Sequence, residues 1–274
     1  MPAISTNTAA NAAVRYLNIN SQQETSALAK LSSGSRITAA SDDAAGLAIS
    51  TRISSDITTL QQAATNASQA TSILQTADGG ASNISDILAR MKSLASESAS
   101  GTVTDSSRAY INSEFSQLTS EVDSIASGTR YSSQSLLDGT SVFSSGVAVL
   151  VGSTASDTIT ITLTTLTSSS LGLTSLDVSS LSDATSALSA LDTAINSVSA
   201  ARATIGAQES RFNFSASSIS TQTQNLQSAN SAIMDVDIAS EQATLSSAEV
   251  KTQAAVSAET AANQMPQYLL KLLG

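Results

Sequence analysis

The sequence predicts a mainly α-helical protein, an elongated coiled-coil helical rod carrying a small β-hairpin. Three observations carry that expectation. An apolar seam runs in unbroken heptad register from Leu188 to Ile233. The two prolines, Pro2 and Pro266, both stand near the ends, so the interior lacks the strongest helix breaker. Hydrophobic residues make up 41% of the 274 residues but aromatics only 3%. A chain with so few large anchors favours thin interfaces between close helices over a thick globular core.

Taken from the N-terminus, residues 1–40 carry Val14, Leu17, Leu28 and Leu31 at heptad positions, with Ser21 and Glu24 between them. This stripe is thin, and weakly packed helices are marginal in water. A stronger helix is expected to open near residue 42, capped by Ser41 or Asp42, where negative charge suits the dipole. Its seam reads Ile49, Ile53, Ile57, Leu60, Ala64, Ala67, Thr71 and Leu74, then slips to Ala77 and resumes as Ala81, Ile84, Leu88, Met91 and Ala95. A three-residue slip is a stammer. It lies beside Gly79-Gly80, and the pattern fits one flexed helix or two. A further seam follows at Ile111, Phe115, Leu118, Val122 and Ile125. Residues 41–138 are thus the N-terminal part of the helical rod.

Residues 139–183 differ. Val147–Val151 and Thr158–Leu163 are β-branched, and the second run alternates strictly. With Gly152–Asp157 between them they read as a β-hairpin, and Ser168–Ser170 with the residues after it as exposed loop. The rod resumes at 184–233. Its seam is Leu188, Leu191, Ile195, Val198, Arg202, Ile205, Glu209, Phe212, Ala216, Ile219, Thr223, Leu226, Asn230 and Ile233, ten of the fourteen apolar. At ~1.5 Å per residue it spans on the order of 70 Å. Residues 234–274 carry Ile238, Leu245, Val256, Leu269, Leu270, Leu272 and Leu273 among many alanines. Both ends are expected to be largely disordered in a monomer and to fold on assembly.

Composition excludes much chemistry. There is no Cys and no His, so disulfides, thiol catalysis and histidine-activated serines are ruled out. The net charge of −10 argues against nucleic acid and against anionic lipid. Asp78-Gly79-Gly80-Ala81 lacks the lysine of a phosphate loop. A calcium loop starting at Asp235 would need Gly and Glu where Ser240 and Ser246 stand, so Asp235, Asp237 and Glu241 read as a charged joint. No catalytic, cofactor or metal site is expected. The start of the chain has no basic segment followed by an apolar run, so if the protein leaves the cell it is expected to use a route that needs no cleaved signal peptide.

The same segments resemble bacterial flagellins. The motifs are Leu31-Ser32-Ser33-Gly34-Ser35-Arg36-Ile37, then Ser41-Asp42-Asp43-Ala44-Ala45-Gly46-Leu47-Ala48-Ile49; Arg108 with Ile111 and Glu114; Thr129-Arg130-Tyr131 leading to Leu136-Leu137-Asp138-Gly139; Arg202–Gln208 with Arg211-Phe212; Ile233–Ala239 with Glu241; and Ala261–Gln267 with Leu272-Leu273. The likeness covers nearly the whole chain outside about 140–185. Tyr131-Ser132-Ser133 departs from the usual Phe-Asn-Gly, and the large variable outer domains are missing.

The resemblance implies a subunit of the extracellular flagellar filament, a homo-polymer, and no enzyme. It implies paired terminal helices, 1–40 and 234–274, that form the inner tube. Val14, Leu17, Leu28, Leu31, Leu245, Val256, Leu269 and Leu272 are the expected packing residues, with Ala254, Ala255, Ala258, Ala261 and Ala262 allowing close approach. Implied partners are the flagellar export apparatus, an export chaperone and the filament cap. An innate immune receptor is a further implied partner, through Arg90, Leu94 and Glu114, although Ser93 stands where receptor-activating relatives carry an acid. The alternative is a hook–filament junction or other flagellar axial protein.

Overall fold

The computed structural model describes residues 6–273, apart from the side chains of 266 and 269–273. Helix α1 spans Thr8–Ser33, α2 Ala44–Ser98 and α3 Asp105–Gly128. A two-residue hairpin follows, β1 Arg130–Tyr131 and β2 Gln134–Ser135, then a helical turn α4, Val142–Ser145. The second hairpin pairs β3, Val147–Leu150, with antiparallel β4, Thr158–Ile161. Two long helices complete the chain, α5 Leu181–Met234 and α6 Ile238–Leu273. Packing divides it into two compact units. One holds both ends, up to Ser55 and from Asn225; the other is Asp56–Gln224.

The central unit is built on alanine. From Leu60 onward α2 buries a seam at 60, 63, 67, 70, 74, 77, 81, 84, 88, 91, 95 and 98, in steps of three and four, with Gly80 and Leu94 buried beside it. The expected slip at Leu74 does not exist. It came from reading Ala64 and Thr71 into the seam, where the structure buries Ala63 and Ala70. One continuous helix of 55 residues therefore runs through Gly79-Gly80. On α5 the column Leu191, Val198, Ile205, Phe212 and Ile219 is buried as expected. Its companion column is Ala187, Ala194, Ala201 and Gln208, one residue before the expected Leu188, Ile195, Arg202 and Glu209, which are only half-buried. Small residues let helices approach closely, and the larger neighbours flank the contact rather than filling it.

Gly80 shows how close that approach is. A Cβ on Gly80 would lie 2.3 Å from Thr129 Oγ1 and 3.0 Å from Leu137 Cδ1, whereas one on Gly79 would meet nothing within 4 Å. Thr129 cannot easily yield, because its hydroxyl donates to the Ile125 carbonyl at 2.7 Å. Gly80→Ala should destabilise the protein by about 1–3 kcal/mol through overpacking. Gly79→Ala should stabilise it by about 0.5–1 kcal/mol through helix propensity. Denaturation midpoints that move the same way in both variants would contradict this account.

The hairpin sits where it is expected, with Ile159 and Ile161 buried and Thr158 and Thr160 outward. Gln208 docks it onto α5 by a reciprocal pair of bonds. Its amide donates to Thr162 O at 2.9 Å, and its carbonyl accepts from Thr162 N–H at 3.2 Å. The segment after the hairpin is not the exposed loop expected from its serines. Leu163, Leu166, Leu171, Leu173 and Val178 are buried, and so is Ser168. Asp123 on α3 holds Ser168 through both its N–H, 2.8 Å, and its hydroxyl, 2.7 Å. Asn112 accepts from Val178 N–H at 3.1 Å, and the Ser98 hydroxyl donates to Val178 O. The β1–β2 turn places Ser132 and Ser133 at φ 50° and 69°, a two-residue geometry that favours Asn-Gly.

Candidate functional site

The terminal unit is a helix pair closed at each end. Asn7 serves both helices at one end. Its side-chain oxygen caps α1 by accepting from Ala10 N–H at 3.1 Å, and its amide nitrogen donates to Ala262 O of α6 at 2.8 Å. At the other end Gly34 terminates α1 in the left-handed region, φ 70°. This turn aligns Ser35 with Asp235 in an antiparallel bridge. Arg36 N–H donates to Met234 O at 2.6 Å, and Val236 N–H to Gly34 O at 3.1 Å. The charged joint expected at Asp235, Asp237 and Glu241 is thus the seam between α5 and α6. Asp237 caps α6, accepting from Ala239 N–H at 3.0 Å.

The cap of α2 is one residue later than expected. Asp43 accepts from Gly46 N–H at 2.8 Å. Asp42 instead ties the preceding loop, and bonds from the Thr38 N–H, the Ala39 N–H and the Thr38 hydroxyl hold its carboxyl below the usual range.

The described residues of both ends, Thr8–Ser33 and Ile238–Leu273, are helical in this structure, where the thin stripe suggested disorder. The reason is the same as in the central unit: α1 and α6 pack through small residues that a search for large apolar side chains passes over. The stripe of α1 turned inward is 10, 13, 17, 20, 24, 27 and 31, with Ala10 and Ala27 buried. That of α6 includes Leu245, Ala248, Ala255 and Ala262. Leu17 and Leu31 are half-buried on this seam, and Leu245 is buried. Ala255 and Ala262 lie in the contact, whereas Ala254, Ala258 and Ala261 are exposed.

Three further expected packing residues face outward. Val14, Leu28 and Val256 are exposed, Leu28 by 58%. The side chains of Leu269 and Leu272 lie outside the described residues. Ile238 is also exposed, as are Tyr16, Ile19, Val250, Met265 and Tyr268, which sequence reading did not single out for packing. Nine of the fourteen large hydrophobic side chains exposed among the described residues therefore belong to α1 and α6. These helices hold only 26 and 36 of the 274 residues. Apolar surface so concentrated marks an interaction site.

Among the described residues no group of three or more His, Cys, Asp or Glu is placed to hold a metal ion. No helix among them is long and apolar enough to cross a membrane. In the central unit, Arg90 and Glu114 are brought together in an exposed ion pair of 2.7 Å, but Leu94 is only 2% exposed and belongs to the core.

The comparisons with known proteins agree with this architecture. The chain matches the bacterial flagellin N-terminal helical region over residues 4–142 and the bacterial flagellin C-terminal helical region over residues 188–273. It is 36% identical to a flagellin of Halalkalibacterium halodurans, across 94% of this chain and 95% of that one. A flagellin of Listeria monocytogenes is 35% identical, across 94% of each chain. The flagellar filament 30.7 kDa core protein of Treponema maltophilum is 36% identical, across 94% of this chain and 95% of the other. The crystal structure of Bacillus cereus flagellin superposes with a TM-score of 0.52 at 29% identity, covering 61% of this chain and 94% of that one. With both helical regions matched in order and relatives alike along almost their whole length, the chain belongs to the bacterial flagellin family.

Proposed function

We propose that this protein is a structural subunit, not an enzyme, that polymerises with copies of itself into the helical filament of the bacterial flagellum and so serves motility. The observation that carries the reading is the outward apolar surface of the α1–α6 pair. Its inner contact is already made by alanines with Leu17, Leu31 and Leu245, so Val14, Leu28 and Val256 remain for neighbouring subunits. A contact of this kind between different faces, repeated by a rotation that does not close, gives an open helical polymer. The relatives' names favour a filament subunit over a hook–filament junction subunit.

The filament is extracellular. Passage through the flagellar export apparatus with a chaperone, and addition beneath a filament cap, complete the proposal. An innate immune receptor reading the central unit would meet Arg90 and Glu114, which we assign first to packing between subunits; Leu94 is buried in the core.

Electron microscopy under polymerising conditions tests the assembly reading. The full chain should form filaments, and a chain lacking residues 1–40 should form none. Equal filaments from the truncated chain would refute it.

A further inference from the structure

Three of the four phenylalanines, Phe115, Phe143 and Phe212, are buried, yet Phe214 is 74% exposed. It stands on α5 beside a shallow cavity of about 340 Å³ whose other walls are Gly206, Glu209, Ser210, Asn213 and Ser217. The floor is low at Gly206, where a Cβ would meet nothing within 4 Å. Glu209 forms the inner edge. Its Oε1 is buried and has no hydrogen-bond partner.

The charges around Glu209 leave it unsatisfied. Burial, and then the Asp78 carboxylate on α2, push its carboxyl up from the ordinary range. Arg202, two turns earlier on α5, is already held by Asp78 at 2.8 and 3.3 Å and is also drawn by Asp86. The groove therefore presents an aromatic face, small polar walls and a carboxylate that lacks a cation.

We propose that this groove receives a lysine or arginine side chain from a second copy of the chain. The proposal rests on the filament reading above and names one contact within it. The aliphatic stem lies along Gly206 and Ser210, the cation bonds to Glu209, and the Phe214 ring covers it. Identical chains of net charge −10 repel one another, and a cation seated on a carboxylate offsets that repulsion locally. Donors are available: among the described residues, ion pairs engage only Arg90, Lys92, Arg108 and Arg202.

The contact is linked to pH with a definite sign. In the free subunit the raised Glu209 carboxyl holds its proton longer than an ordinary glutamate. A seated cation favours the carboxylate, so assembly releases a proton. Assembly should strengthen as pH rises through the raised range and weaken as it falls.

Critical concentrations measured by sedimentation across a pH series, together with thermal unfolding of the monomer, test this. Phe214→Ala should raise the critical concentration about tenfold and leave monomer unfolding unchanged. Glu209→Gln should raise it about as much and flatten its pH dependence, yet make the monomer harder to unfold at neutral pH. That stabilisation should vanish below the ordinary glutamate range, where the native carboxyl is protonated in both states. A residue with only an internal structural role would move stability and assembly in the same direction. Both variants polymerising at the native critical concentration would overturn the proposal. A native chain that forms no filaments would remove the filament reading with it.

Discussion

Arg108→Ala should lower the stability of the protein by about 3 kcal/mol, because one side chain closes the end of its longest helix. The last carbonyls of a helix have no partner within it, and α2 ends at Ser98, itself fully buried. Arg108 reaches back from the first turn of α3. Its Nε donates to Ser98 O at 2.8 Å, Nη2 to Ser100 O at 2.9 Å and Nη1 to Asp105 at 2.9 Å. The side chain is 7% exposed, against 92% for that of Asp105. The two carbonyls therefore carry the effect and the ion pair adds little.

Alanine would leave the Ser98 carbonyl buried and unbonded, beside a void the size of a guanidinium. For a chain of this size the loss corresponds to a melting point lower by roughly 6–12 °C. Arg108→Lys should recover less than half, since an ammonium cannot match the planar fork. Asp105→Asn should change stability by less than about 0.5 kcal/mol. Chemical denaturation of the three variants checks the ranking; equal losses in Arg108→Ala and Asp105→Asn would show that the ion pair, not the cap, matters.

Much of this fold was legible in the sequence, and the error was systematic. Helix existence, the hairpin at β3–β4 and one heptad column of each long helix followed from periodicity. The companion column was displaced by one residue on α1, on α5 and on α2 before Leu74, whereas Ala77, Ala81, Ile84, Leu88, Met91 and Ala95 are buried as expected. On α1 the structure turns in 13, 20 and 27 where the heptad register suggested 14, 21 and 28. On α2 it buries Ala63 and Ala70 instead of Ala64 and Thr71, and on α5 Ala187, Ala194 and Ala201 instead of Leu188, Ile195 and Arg202. Hydrophobic size identifies the wrong neighbour when helices approach so closely that only a methyl group fits between them.

The disordered ends and the exposed loop failed for related reasons. A stripe built of Ala10, Ala27, Ala248, Ala255 and Ala262 looks too poor to fold, yet pairing brings its backbones together. The stretch from Thr162 to Ser180 looks polar because its anchors are hydroxyls and amides. Which of them find Asp123, Asn112 or Gln208 is set by long-range packing that no local pattern displays. The expected packing residues of the terminal unit were the right kind of side chain, but the sequence could not divide Leu17, Leu31 and Leu245 on the inner seam from Val14, Leu28 and Val256 outside it.

That division yields the second large effect. Leu28→Asp combined with Val256→Asp should raise the critical concentration for polymerisation more than about a hundredfold while leaving the α1–α6 pair helical. Burying a leucine or valine contributes about 1.5–3 kcal/mol, and a charge set against an apolar neighbour costs at least as much again. Both sites are exposed in the single chain, so the substitutions meet only water before assembly and surface changes of this kind are nearly neutral. Ala27→Leu is the opposite case. Ala27 is 1% exposed, so three added carbons would force the two helices apart at a cost of about 1–3 kcal/mol. That variant should lose helicity in the monomer as well as polymer. Circular dichroism of the soluble chain and sedimentation of the polymer separate the two behaviours. Filaments formed by the double aspartate variant at the native critical concentration would mean that the outer stripe faces solvent in the polymer. The contacts between subunits would then have to be sought on the central unit alone.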